Sequence, residues 1–460
     1  MAKNQEYRLD SFGMRLCRKL PVLWLVALLL AAACLCPAMA QTRAVSVTLD
    51  QAMLRLNGPW LFHVGDNPRW ADPGYDDSGW QVMDLSAPAS ATDGDVGLPH
   101  YAPGWSARGH AGYFGYAWYR LHLNLRAPAG KSLALLGPWA VDSAYQVYAN
   151  GKFLGGVGKF TGAVPTAYAS HYPTLFTLPA SVAGTPLLIA IRVWMGPWGA
   201  GLPTSGGIHI APAIGLRTVI AAQYHLQWLK IFEGYVVDAV IGLLFFLTAV
   251  MALCLLPFER GDRTYIWLAA ALLLSGIQRG NQAFFFWWRI ETVRDAVIFI
   301  IALTGSLSLG AWMLAWRSWF GVDRSGWLAK AVVALTLALF VAQLLAYPWL
   351  YHAVLPHAVS LGVHYLIRGL RLAFLLILGL IVYLGIRRQG RDAWYTLPAV
   401  LAIAAVLFTA ELTALHVPGI WFPWGIGLAL SECASVVFVL LLFTLLLRRL
   451  WSHARRLQPV

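Results

Sequence analysis

Cysteine is scarce in this 460-residue chain and poorly placed for structural use. The five are Cys17, Cys34, Cys36, Cys254 and Cys433, all in the first forty residues or in long apolar runs. None falls between residues 41 and 230, which excludes a disulfide framework or a cysteine zinc site there. A stretch of that length can be held by its core alone. Charge is the second shortage. Only 12% of residues are charged against 59% hydrophobic, which excludes an ordinary soluble enzyme composition. Acidic residues are the rarer sign, 21 against 34 Lys and Arg, for a net charge of +13. Much of that excess borders apolar runs, where arginine sets membrane topology, so no nucleic-acid partner is expected.

The averages conceal two unlike halves. Residues 41–230 hold 12 Lys or Arg and 9 Asp or Glu, a soluble balance, while residues 231–447 are dominated by Leu, Ala, Ile and Phe. Ahead of both, "MRLCRKLPVLWLVALLLAAACLCPAMAQ" sets Arg15, Arg18 and Lys19 before an apolar stretch from Val22 to Leu35, then Ala38-Met39-Ala40. That is the order of a secretory signal peptide over residues 1–40, with an uncleaved anchor as the alternative.

From Ser46 to Ile214, short apolar-alternating segments are separated by Gly, Pro, Asp and Asn. In "WYRLHLNL", Tyr119, Leu121, Leu123 and Leu125 share one face, and Trp118, Arg120, His122 and Asn124 the other. Ile189, Ile191 and Val193 repeat the pattern in "LLIAIRVW". Asn150-Gly151 suits a two-residue hairpin, since both positions tolerate positive φ. The expectation is an all-β jelly-roll sandwich of about eight strands over residues 41–225.

The segments "NGPWLFHVGDNPRWADPGYDDSGW", "YAWYRLHLNL" and "VDSAYQVYANGKFLGG" follow one another in an order that resembles the galactose-binding-like jelly roll of family-two glycoside hydrolases. The resemblance covers about 170 residues. It implies an accessory sugar-binding domain, without the barrel that carries the acid pair. Asp76-Asp77 and Asp93/Asp95 are paired carboxylates of the kind glycoside hydrolysis needs. Adjacent strand residues face opposite ways, however, and D-D-S also reads as turn chemistry. The chain is therefore expected not to be an enzyme, and to hold no metal or other cofactor. Candidate ligand contacts are the Gly- and Pro-flanked aromatics Trp105, Tyr113, Trp139, Trp194 and Trp198, with His110 in "RGHAGYFG". The competing reading makes them core plugs, or a dock onto the membrane part or headgroups.

Apolar runs at approximately 235–256, 265–286, 295–316, 327–347, 366–386, 394–415 and 425–447 suit seven transmembrane helices in a domain over residues 226–447. With the β domain outside, Arg260, Arg263, Arg317, Arg324, Lys330, Arg387, Arg388, Arg391, Arg448, Arg449, Arg455 and Arg456 all fall inside, and the outer turns show only Arg289 and Arg294. The expected location is a bacterial inner membrane, with the N-terminal domain periplasmic and the C-terminus cytoplasmic. A jelly roll ahead of seven helices resembles the bacterial seven-transmembrane receptors with diverse intracellular signalling modules, and "SGIQRGNQAFFFWW" is similar to the glycine- and aromatic-rich pattern of their second helix. That resemblance implies signal transduction. The chain departs from it in ending with a short basic tail, residues 448–460, where a kinase, cyclase or phosphatase would follow.

Ionisable residues inside spans are expensive and face a cavity or a partner. Asp238, Gln278, Arg279, Asn281, Arg368, Arg371, Glu411 and Glu432 all fall in the outer half of the expected bundle, with Arg279–Glu432 the deepest pair. They read as a polar pocket beneath the β domain or as snorkelling arginines and capped acids. The first functional expectation is a receptor binding a carbohydrate-like or other small ligand and signalling to a separate cytoplasmic protein. A non-signalling membrane-anchored protein that binds carbohydrate or an envelope protein is the second, and a transporter the third. Membrane lipid is expected around the tail, and a homo-oligomer is compatible with all three.

Overall fold

The computed structural model describes residues 45–48, 53–94, 97–126, 131–161, 164–169, 171–179, 185–199, 203–257, 263–322, 326–351, 356–417, 420–421 and 428–457. The expected signal peptide or anchor lies outside the described residues, as does Asp95. Residues Val45–Val460 form one compact unit, a β region followed by a helical region.

Among the described residues the β region has thirteen strands where about eight were expected, several of them pieces of two to four residues. They are β1 (Val45–Thr48), β2 (Met53–Arg55), β3 (Trp60–Val64), β4 (Gln81–Met83), β5 (Gly115–Arg126), β6 (Leu133–Leu136) and β7 (Val141–Asp142). There follow β8 (Ala144–Ala149), β9 (Lys152–Val157), β10 (Leu175–Thr177), β11 (Pro186–Met195), β12 (Gly207–Ile208) and β13 (Ala213–Leu216). One sheet runs β4-β3-β5-β11-β8-β9 with β1 parallel to β5; a second runs β10-β6-β13-β2; β7 and β12 pair separately. The long central pair fixes the register, with Leu121 opposite Ile189 and Tyr119 opposite Ile191. Asn150 and Gly151 turn β8 into β9 with φ of 45° and 80°, the left-handed pair a tight hairpin requires.

Tyr119, Leu121, Leu123 and Leu125 point into one core with Leu135 and Ile214 of the facing sheet. The opposite face of β5 is covered too: Trp118 and Arg120 are both fully buried. The segment 68–80 lies over them, with Trp70 and Trp80 packed on Trp118 and Ala190. Arg120 is satisfied on every side. Its Nε donates to Asp77 Oδ2 at 2.6 Å and its Nη atoms to the carbonyls of Trp70, Asp72 and Tyr75. Removing either member of this buried ion pair would strand the other, at about 3–5 kcal/mol.

The helices are α1 (Arg217–Leu255), α2 (Thr264–Trp287), α3 (Val293–Trp319), α4 (Trp327–Leu345), α5 (His357–Gln389), α6 (Arg391–Leu407), α7 (Thr409–Ala414) and α8 (Leu430–Leu457). Five of them, α1, α3, α4, α5 and α8, are long and apolar enough to cross a membrane. Helix α2 carries Gln278, Arg279, Asn281 and Gln282 in one stretch, and α6 has only 17 residues with Pro398 inside. Helix α1 begins directly after β13, with no linker, and runs unbroken through residues 225 and 226. Its first turns are held against the second sheet by Ile220, which packs with Ala134, Leu136 and Ala213. Helix α3 contains a π-helical stretch, Ala296–Thr304.

Candidate functional site

The β region and the helices meet across a packed seam. Ile231 and Tyr235 of α1 and Ala283 and Phe286 of α2 belong to the same buried cluster as the sandwich core. The Tyr235 and Phe286 rings stack 4.1 Å apart. Tyr172 donates its hydroxyl to the Phe285 carbonyl at 3.2 Å, and the Val293 amide donates to Ala167 O at 3.0 Å. Arg289 lies over the Tyr172 ring, 4.5 Å from its centroid.

Two cavities occupy this part of the molecule. The one at the seam, about 320 Å³, is bordered by Asp142, Ser143, Tyr168 and Trp198 on the β side and by Asn281, Gln282 and Phe286 on α2. The other, about 350 Å³, lies among the helices and is lined by Gln278, Arg279 and Gln282 of α2, Gln343 of α4 and Arg371 of α5, with Phe245, Ile300 and Leu339 as apolar wall. Gln282, Ile300 and Ile301 border both. Each is within the roughly 300–1,000 Å³ of small-molecule sites. The π-helical stretch supplies Ile300 and Ile301 to both cavities, and such turns recur at functional sites.

The structure gathers part of the expected polar cluster. Arg279 Nη1 donates to Asp238 Oδ1 at 3.2 Å, bridging α2 to α1. Arg371 forms a bidentate pair with Glu411, Nη2 reaching Oε2 at 2.8 Å, and the same nitrogen donates to Leu407 O. Gln278 lines the inner cavity and Asn281 the seam. The pairing expected between Arg279 and Glu432 gives way to Arg279–Asp238, while the buried Glu432 accepts from the Ala429 amide at 2.7 Å at the start of α8. Arg368 is exposed, over its neighbour Tyr365, and does not line either cavity. Gln282 and Gln343 went unnoticed in the sequence; an amide inside an apolar run was their one available signal.

Most of the loop aromatics sit inside. Trp105 is fully buried between Phe62 and Tyr113, its Nε1 donating to Tyr113 O at 3.2 Å. Trp139 is in the main core, and Trp194 packs with Ala144 and Ala167. Glycine beside them serves close packing rather than exposure: a Cβ on Gly104, next to Trp105, would sit 2.2 Å from Gly206 O. His110 donates Nε2–H to Gln81 Oε1 at 2.8 Å, and burial lowers its pKa. Tyr113 bonds the Tyr116 carbonyl. Trp198 borders the seam cavity, with its ring on Trp349, 4.7 Å between centroids.

The described carboxylates of these pairs, Asp76, Asp77 and Asp93, make structural contacts. Asp76 caps the Ser78 amide at 3.0 Å. Asp77 holds Arg120 and His122; burial raises its pKa, but those hydrogen bonds and charges bring it below the ordinary aspartate value. Asp93 accepts the Leu98 amide. Beside the seam, Asp142 accepts from His209 Nε2 at 3.0 Å and from the Gly206 amide at 2.9 Å, while His209 Nδ1 faces Ala102 O at 2.9 Å.

No family model matches the chain, and no curated protein matches it. Solved structures do. Bacteroides uniformis β-glucuronidase 2, covalently bound to cyclophellitol-6-carboxylate aziridine, is 23% identical over 36% of this chain and 18% of its own, with a TM-score of 0.25. A glycosyl hydrolase family 2 member from Bacteroides cellulosilyticus is 20% identical over 36% and 21%, at 0.27. Bifidobacterium dentium β-glucuronidase complexed with coumarin-3-O-glucuronide is 16% identical over 33% and 22%, at 0.23. The matched part thus spans about a fifth of the length of those structures. The expectation that the chain is not an enzyme is withdrawn: the solved structures it is similar to are glycosidases.

Proposed function

We propose that this chain is a bacterial inner-membrane receptor, in which an exported galactose-binding-like jelly roll and seven membrane-crossing segments respond together to a small polar or carbohydrate-like ligand. In this reading α2 and the α6–α7 pair join the five longer helices as spans, and the output passes to a separate cytoplasmic signalling protein. The observation that carries the reading is the seam. Ile231, Tyr235, Ala283 and Phe286 share one core with the β region, and a packed core responds to displacement by switching between arrangements rather than by bending smoothly. A tether alone would serve an anchored binding protein. The far ends of α3, α5, α6 and α8 gather Arg388, Arg448 and Arg449 around Trp319 and Asp392, a basic end that supports an inward-facing orientation.

The test uses the full chain, freed of its native cysteines, in lipid nanodiscs with spin labels at Trp394→Cys and Leu447→Cys, both exposed positions near the basic end. Distances are measured with and without each member of a mono- and oligosaccharide set. A saccharide that binds and shifts the distance supports the receptor. Binding that leaves the distance unchanged favours the anchored binding protein, and saccharide uptake into proteoliposomes favours a transporter.

A further inference from the structure

The cavity among the helices has an unusual balance of hydrogen-bonding groups. Arg279 spends one nitrogen, Nη1, on Asp238, and Arg371 spends Nε and Nη2 on Glu411 and Leu407. A guanidinium has five N–H groups, so both arginines lining the cavity keep donors without a protein acceptor among the described residues. The carboxamides of Gln278, Gln282 and Gln343 line the same space, and none has a hydrogen-bond partner among the described residues. Asp238 and Glu411, which neutralise the arginines, do not line it. The surface offered inward is therefore rich in donors, backed by two cations, and walled by Phe245, Ile300 and Leu339. Polar groups removed from bulk water need partners, and guanidinium donors select planar anionic acceptors.

The geometry points to this cavity as a binding site for a small organic carboxylate that also carries hydroxyl or amide groups. The carboxylate takes the uncommitted N–H groups of Arg279 and Arg371, and the glutamines take the remaining polar groups. Arg279 keeps its tie to α1 through Asp238 and Arg371 its tie to α7 through Glu411, so the ligand's carboxylate adds a link between α2 and α5 and leaves both bridges in place. This deepens the receptor reading by naming the ligand class of its inner cavity, yet the binding itself does not require signalling.

The probes are gluconate, succinate and benzoate, each against a neutral counterpart, sorbitol, succinamide and benzamide. Unfolding of the purified full chain in mild detergent is followed by tryptophan fluorescence. The expected result is a rise in midpoint of about 2 °C or more for at least one carboxylate over its counterpart at millimolar excess. The rise disappears in Arg371→Gln and in Arg279→Gln. Should either variant fail to fold, Gln343→Trp, which leaves both bridges intact and projects an indole into the cavity, must abolish the rise. Equal behaviour of all three carboxylates and their counterparts, as for a cavity holding only water, overturns the inference. So does a rise that survives in every folded variant. A carboxylate that binds without moving the spin labels leaves this site standing and removes the receptor reading alone.

Discussion

At the scale of single residues, His209 shows how charge is built into the β region. Both ring nitrogens face acceptors, the Ala102 carbonyl and the Asp142 carboxylate, so only the doubly protonated imidazolium satisfies both. Tyr101 stacks on the ring at 4.6 Å. Burial opposes the charge, but Asp142 and the Ala102 carbonyl outweigh it and raise the His209 pKa, while burial of Asp142 is outweighed by His209 and the Gly206 amide, which lower its own. The raised histidine contributes stability that is complete below the ordinary imidazole value of about 6.5 and fades as pH climbs through the folded value. The lowered aspartate contributes stability that is lost only as pH falls through its folded value. Unfolding midpoints measured from pH 5 to 9 should therefore decline above about 6.5 in the native chain, and that part of the decline should vanish in His209→Gln. The two D-D-S carboxylates mark the limit of what local sequence reveals. Asp76 was legible as turn chemistry because its partner, Ser78, is two residues away. Asp77 was not, because Arg120 is 43 residues distant and only the fold brings it there.

At the scale of elements, α1 and α2 approach closely through glycine. A Cβ on Gly242 would lie 2.9 Å from the Gly280 amide and 3.1 Å from Gly276 O, and small residues of this kind let helix backbones meet inside a bilayer. The contact sits one turn from Asp238, so it also sets the reach of the Asp238–Arg279 bridge. Gly242→Leu is expected to push the helices apart, to break that bridge and to lower the unfolding midpoint by several degrees, measured in detergent against the smaller change of Gly369→Leu, where nothing lies within 4 Å of an added Cβ. Periodicity disclosed the strands of β5 and β11 and the Asn150-Gly151 hairpin, since those signals are local. It missed the burial of Trp118 and Arg120, because alternation reports which residues share a face and not whether a later segment covers that face. The aromatic loops left two readings open for the same reason: glycine beside tryptophan marks close packing as readily as a surface turn.

At the scale of the whole molecule, hydropathy separated the two regions and placed five of the seven expected runs on described helices long and apolar enough to cross a membrane, because apolar length is a property of the sequence itself. Which charges meet across helices was not available, since Arg279 and Asp238 are 41 residues apart and their meeting depends on how α1 crosses α2. Nor was the extra length of α1, whose first turns are too polar to stand out from the strands before them. That junction carries a prediction of its own. Inserting Gly-Ser-Gly between Leu216 and Arg217 should leave ligand affinity unchanged within about twofold, yet erase any ligand-dependent change in label distance at the basic end. Retention of the distance change would mean that the seam suffices without the junction. With 39 residues at 1.5 Å each, α1 is a rod of about 58 Å. One degree of tilt where it leaves β13 sweeps its other end through about 1 Å. The peptide joining Leu216 to Arg217 thus sits as a fulcrum, and its stiffness sets how far a displacement in the sheets is magnified at the other end of α1.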